Sequence, residues 1–249
     1  MVKTKIAVSL DSSLLVQIDS CADKSVIKSR SQAIEFFLRK GLAESTVDKA
    51  VIFIKKEQQH VLLIKIQGES LLKKQISFFY KNGIRMFYIV TQQGAGINEL
   101  LLEAEKSPLK VEIVQKEAKG NAEALLFVKD KICSNFVAMS GDTFNDFDLS
   151  HMIKKHLDAD KIATMGLMGK DKPSKYGNAV LDGDLIVDFQ EKPKTVSSNI
   201  VNAGIYVFKP EVFELLSSCQ SLEKDLFPKL ARIKQLCGFF THGEYRHLG

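Results

Sequence analysis

The sequence holds no tryptophan, five prolines and four cysteines among its 249 residues. The cysteines, Cys21, Cys133, Cys219 and Cys237, lie far apart and form no CxxC pair. Cysteine-based zinc sites need closely spaced ligands, so none is expected. The four read as small apolar core residues in a reducing, cytoplasmic setting. No apolar run reaches the ~18 residues of a membrane-spanning helix, so no membrane partner is expected. The start, Met1-Val2-Lys3-Thr4-Lys5, leads to an acid at Asp11 without the apolar stretch of a secretory signal. Internal repeats and low-complexity tracts are also missing. An apolar content of 45% and a charged content of 26% exclude a fibrous or wholly disordered chain. The formal charge of +5, from 35 basic and 30 acidic residues, is too weak to argue for nucleic acid by itself.

What is present divides in two. Ile6, Val8 and Leu10 alternate with Lys5, Ala7 and Ser9, the period of one short strand. Asp11 offers a helix N-cap, and Leu14, Leu15, Ile18, Cys21 and Ala22 make an apolar helical stripe. Ser29-Arg30-Ser31 opens a second helix with Ala33, Ile34, Phe37 and Leu38 on one face, and Gly41 is a candidate C-cap. About forty residues cannot bury this apolar surface alone. A lone strand also has two open edges, which a second copy would satisfy by pairing into a ribbon slim enough for the DNA major groove. On these residues, segment 3–42 resembles the ribbon-helix-helix family of DNA-binding repressors. The resemblance implies base contacts from Lys3, Lys5, Ala7 and Ser9 and a phosphate clamp at Arg30 and Ser31. A helix N-terminus favours an anion there. The plainer reading is a dimerisation ribbon without DNA.

Ser45 to Lys49 reads as a short link. Beyond it, strand-like runs at 50–54, 86–90, 111–114, 136–139 and 162–168 alternate with helical patterns at 71–80, 97–104, 122–128 and 149–156. Alternation of this kind argues a doubly wound, mostly parallel sheet. Shorter strand patterns follow at 178–181, 185–189 and 201–208, then two helical stretches and a run at 236–240. His60, His151, His156 and His242 show no ligand spacing and read as surface or loop residues. Asp148 reads as a helix start.

The order of motifs over residues 50–249 is similar to that of the sugar-1-phosphate nucleotidyltransferases. Those motifs are Ala50-Val51-Ile52-Phe53-Ile54, Lys119-Gly120-Asn121-Ala122, Ser140-Gly141-Asp142, Tyr176-Gly177, Glu191-Lys192-Pro193 and Val201-Asn202-Ala203-Gly204. The resemblance implies transfer of a nucleoside monophosphate from a nucleoside triphosphate to a sugar phosphate, with magnesium. It implies ligand contacts from Gly120, Asn121, Asp142, Gly177, Glu191, Lys192, Asn202 and Gly204, with Asp142 also the metal ligand. Each has a plainer reading: Asp142 in a turn, Glu191 and Lys192 as an exposed charged pair, Gly204 at a close strand crossing.

Two departures stand out. The family's glycine loop after the first strand is replaced by Lys55-Lys56-Glu57-Gln58-Gln59-His60-Val61, with Val61 where a catalytic lysine belongs. His247 stands where a second metal-binding aspartate belongs, and a histidine suits magnesium poorly. The expected fold class is therefore α/β: a dimeric β-α-α domain at 1–44, a link at 45–49, and a nucleotidyltransferase-like domain at 50–249. The expected function is a cytoplasmic, dimeric transcriptional regulator whose large domain has lost catalysis. That domain senses a nucleotide, sugar phosphate or nucleotide sugar, and a two-fold symmetric double-stranded DNA site is the partner. DNA binding needs no cofactor; magnesium is expected only where the transferase-like site keeps a metal. The alternatives are an active sugar-1-phosphate nucleotidyltransferase with an N-terminal dimerisation ribbon, and a regulator whose large domain only drives higher oligomers.

Overall fold

In the computed structural model, residues 7–20, 29–45, 47–240 and 242–249 are described. The chain divides into two compact units, Met1–Thr46 and Val47–Gly249.

The small unit contains α1 (Ser12–Ser20) and α2 (Arg30–Ser45). Asp11 starts α1 by accepting from the Ser13 amide at 2.7 Å, as an N-cap should. Ser29 likewise accepts from the Gln32 amide at 3.3 Å at the start of α2. Helix α2 runs through Gly41 to Ser45, so Gly41 is not the C-cap expected of it. Lys3 and Lys5 lie outside the described residues, as does most of the expected strand; residues 7–10 carry no strand. Ala7, Ser9 and Ser31 are exposed. The ribbon-helix-helix assignment is therefore reduced here to two helices.

The large unit is an α/β fold. Its elements are β1 (Lys49–Phe53), a 3-10 helix (Lys56–Leu63), β2 (Lys65–Ile66), β3 (Glu69–Ser70), α3 (Leu71–Lys81), β4 (Met86–Thr91), α4 (Ile97–Ala104), β5 (Lys110–Gln115), α5 (Asn121–Leu126), β6 (Phe136–Ser140), β7 (Thr143–Asn145) and α6 (Leu149–Ala159). They continue with β8 (Ala163–Gly169), β9 (Gly177–Asp182), β10 (Leu185–Glu191), β11 (Ile200–Phe208), α7 (Val212–Leu216), α8 (Phe227–Arg232), β12 (Leu236–Phe240) and β13 (Tyr245–His247).

Nine strands form one sheet in the order β5-β4-β1-β6-β11-β8-β12-β10-β9. The β5-β4-β1-β6 half is parallel, as alternating strand and helix require. The other half is mixed. Strand β11 runs antiparallel to both β6 and β8, and β10 antiparallel to β12 and β9. "Mostly parallel" therefore describes only the first half, because β9, β10 and β11 follow one another with short connections and no crossover helix, while β12, reached through α7 and α8, returns parallel to β8.

Strand β1 is buried on both faces, with Val51 and Phe53 in one apolar layer and Ala50, Ile52 and Ile54 in the other. Helices α5, α7 and α8 cover the first layer, where Phe136 stacks on Phe213 at 5.3 Å between centroids. Helices α3, α4 and α6 cover the second, which also takes in Val47. Cys219 and Cys237 are buried, whereas Cys133 is exposed rather than part of the core; Cys21 lies outside the described residues. Among the described residues, no helix is long and apolar enough to cross a membrane.

Candidate active site

The site gathers at the carboxyl ends of β1 and β6, which lie side by side with Phe53 opposite Ser140. Sheets of this kind leave a ligand crevice beyond their strand ends. The Gly141 amide donates to the Phe53 carbonyl at 3.0 Å. A side chain at Gly141 would press on Ile54, with its Cβ 2.9 Å from that of Ile54, which is why glycine stands there. Asp142 follows, largely buried. Its Oδ1 accepts from the Ser140 hydroxyl at 2.7 Å, and its Oδ2 lies 3.5 Å from His247 Nε2. The buried Gln75 of α3 donates to the carbonyls of Gly141 and Thr143, at 3.0 and 2.8 Å. It fixes the turn that presents Asp142, and no sequence motif marked it.

Neighbouring β11 brings Asn202 and Gly204 to the same end. Gly204 has φ of 69°, a left-handed conformation suited to glycine, at a break in the β11–β8 register. Asn202 braces this bulge: Oδ1 accepts from the Gly204 amide and Nδ2 donates to the Tyr206 hydroxyl, both at 2.8 Å.

Glu191 ends β10 opposite Gly177. A side chain at Gly177 would overlap the Phe189 ring. Burial raises the Glu191 carboxyl above the usual range, and the nearby charge of Glu223 raises it further. Lys192 is exposed, its Nζ 3.8 Å from Glu191, and it sits at φ 45° with its amide on the Tyr176 carbonyl. Glu223 also accepts both contacts from the Asn121 amide, at 3.0 and 2.9 Å, and Asn121 Oδ1 accepts from the Leu222 amide. Gly120 is pressed against the Gln220 carbonyl, where any Cβ would overlap. Glu223 thus links Asn121 to Glu191, while Asn121 has its side chain committed within the fold.

Tyr245 closes a second link. Its hydroxyl is pushed up by burial, then by Tyr176 and Asp142. The Lys170 ammonium lies over both rings, 5.9 Å from the centre of Tyr176 and 5.1 Å from that of Tyr245. Sequence motifs gave no sign of Lys170 or Tyr245. A separate groove lined by Asp148, His151, Lys155 and Phe240 contains none of the residues marked for ligand.

The segment after β1 is not an open loop. It is a 3-10 helix anchored by buried Gln59, which donates to Thr91 Oγ1 at 3.0 Å and to the Gln92 carbonyl at 2.7 Å. Val61 is 2% exposed and packs in the core. Lys55 and Lys56 are exposed at the end of β1. Among the described residues, no three His, Cys, Asp or Glu side chains converge as a metal site. The carboxylate and imidazole of Asp142 and His247 do not match magnesium, which takes oxygen donors.

The family model for "Nucleotidyl transferase" matches residues 54–243. The chain belongs to the nucleotidyl transferase family. It is 28% identical over 196 residues to the mannose-1-phosphate guanylyltransferase catalytic subunit beta of Danio rerio, covering 75% of this chain and 54% of that protein. It is 29% identical over 195 residues to the same-named protein of Drosophila pseudoobscura pseudoobscura, covering 75% and 53%. The chain thus spans about half the length of these curated relatives. The fold is that of a UDP-glucose pyrophosphorylase solved with UDP-glucose, at a TM-score of 0.67 and 18% identity, covering 82% of this chain and 94% of that one.

These matches correct the expectation of a DNA-binding transcriptional regulator with a non-catalytic sensor domain. The relatives named above bear the names of sugar-nucleotide enzymes, and the matching family model is that of a nucleotidyl transferase. The small unit supplies a physical reason as well. Arg30, expected at a phosphate, forks onto Asp19 through Nε and Nη2, both at 2.6 Å.

Proposed function

We propose that the large unit is a sugar-1-phosphate nucleotidyltransferase. A phosphate oxygen of the sugar 1-phosphate attacks the α-phosphorus of a nucleoside triphosphate. The bond to the β-phosphate breaks, giving a nucleoside diphosphate sugar and pyrophosphate. Mannose 1-phosphate with GTP is the first pair to test, because the relatives' names point there. The observation that carries the reading is the convergence of Asp142, Gly204 and the basic end of β1 at adjoining strand ends, in a chain of this family.

Such transfer depends on positioning and charge neutralisation more than on covalent help. With Val61 in the core, the triphosphate charge falls to Lys55 and Lys56. Glu191, whose carboxyl is raised above the usual range by burial and by Glu223, meets sugar hydroxyls, and the exposed Lys192 beside it meets the sugar phosphate. Gly177 and Gly204 keep the backbone open to the sugar, and Gly120 and Asn121 shape the nucleotide end. The small unit serves as a homodimerisation element: Val8, Leu10, Leu14, Val16 and Leu38 expose apolar surface that a second copy would cover.

Purified protein supplied with each nucleoside triphosphate and a sugar 1-phosphate should release pyrophosphate. Replacing Lys55 and Lys56 together by alanine should lower the rate a hundredfold or more, since single electrostatic contacts are worth roughly that much. An unchanged rate in that double variant would remove the proposed triphosphate site.

A further inference from the structure

We propose that Gln92 is a positioning residue that sets the span between the triphosphate end and the nucleoside end of the nucleotide site. The proposal rests on the transferase reading for what the site holds; the brace itself is read from the fold.

Strand order puts Gln92 between the two ends. Strand β4 lies between β1 and β5 and runs parallel to both. Gln92 follows β4 directly. It therefore stands between the turn after β1, with Lys55 and Lys56, and the turn after β5, which leads to Gly120 and Asn121. Its half-buried side chain reaches both turns. Oε1 accepts from the Lys56 amide at 2.9 Å, and Nε2 donates to the Ala118 carbonyl at 3.4 Å. A second glutamine holds the first: the Gln59 side chain, from the 3-10 helix, donates to the Gln92 carbonyl and to Thr91 Oγ1. A side chain at Gly94 would overlap that Gln59 amide, so glycine there leaves it room. The turn after β5 is tied to β4 a second time, by the Lys116 amide on the Thr91 carbonyl at 2.9 Å.

Gln92 takes the Lys56 amide, so phosphate contact at that residue falls to the side chain. Lys55 and Lys56 are both exposed and project from backbone that Gln92 and Gln59 fix. What the brace supplies is spacing. A nucleoside triphosphate bridges both ends and gains when they are held at a set distance before it binds. A ligand seated at one end gains nothing from that spacing.

The test compares the full chain with its Gln92→Met variant, which keeps the length of the side chain and removes both hydrogen bonds. Nuclear magnetic resonance titrations, which also read weak binding, use each nucleoside triphosphate, its monophosphate, and inorganic tripolyphosphate. Affinity for the triphosphate should fall about tenfold in Gln92→Met, because two turns must then be ordered on binding. The monophosphate and tripolyphosphate, each seated at one end, should keep their affinity. A merely structural role would weaken all three ligands alike or none of them. Equal triphosphate affinity in the two proteins, or a parallel loss for the two fragments, would overturn the brace and leave the transferase reading standing. The expected pattern without nucleotide sugar from any substrate pair would refute the transferase reading and leave the brace. Failure of the unsubstituted chain to bind any nucleoside triphosphate would overturn both.

Discussion

Replacing His156 is expected to flatten the acid side of the stability profile. This side chain is fully buried in α6 against β8, with Nδ1 2.9 Å from Thr164 Oγ1 and no partner on Nε2. Burial, with Lys209 nearby adding to it, lowers the imidazole from 6.5 to about 4. In the unfolded chain the ring takes a proton near 6.5; in the folded chain it resists until about 4. Between those values the unfolded state holds more protons, so stability falls as pH drops through the window. The contribution is complete above 6.5 and gone below about 4, and the gap amounts to about 3 kcal/mol. His156→Leu alone would orphan the buried Thr164 hydroxyl at a cost of about 1–3 kcal/mol at every pH. The double variant with Thr164→Val removes both polar partners. Urea unfolding followed by far-ultraviolet circular dichroism, since there is no tryptophan to report, should show wild type losing about 3 kcal/mol more than the double variant between about pH 7 and about pH 4. Equal losses in the two proteins would refute a neutral buried His156.

Gly120→Ala should destabilise by about 1–3 kcal/mol, because its Cβ would overlap the Gln220 carbonyl, and a thermal melt would read the loss. Phe136→Ala should cost about 3–5 kcal/mol through loss of its stack on Phe213, measured by denaturant midpoint. Asn202→Ala should leave the fold intact yet lower turnover, since it removes the brace on the Gly204 bulge; the check is pyrophosphate release beside an unchanged circular dichroism spectrum.

Much of the large unit is legible in its sequence, because each parallel strand is an apolar run between helical patterns. Strand Met86–Thr91 and helix Ile97–Ala104 follow directly from that alternation. Strand direction is not written in a period of two, so the antiparallel insertion of β11 and the β10–β9 hairpin become visible only when the pairings are seen. The three-residue ribbon between β7 and β13 is too short for any pattern, yet it delivers His247 to Asp142. Asn121 reads as a ligand residue in its motif, but Glu223, 102 positions away, takes its amide. His156 reads as a surface residue because nothing local reveals that β8 covers it. Gln59 explains why the segment after β1 is ordered without glycine: one amide spans two partners on the neighbouring strand end.

The central claim is nucleotidyl transfer at Asp142, and product formation tests it most directly. Purified chain should be incubated with GTP, mannose 1-phosphate and a diamagnetic divalent cation while phosphorus magnetic resonance follows the α-phosphorus. The account predicts a new nucleoside diphosphate sugar appearing in step with pyrophosphate, and neither product with Asp142→Asn. If wild type yields no nucleotide sugar from any nucleoside triphosphate and sugar 1-phosphate pair, or Asp142→Asn keeps the full rate, the claim is contradicted.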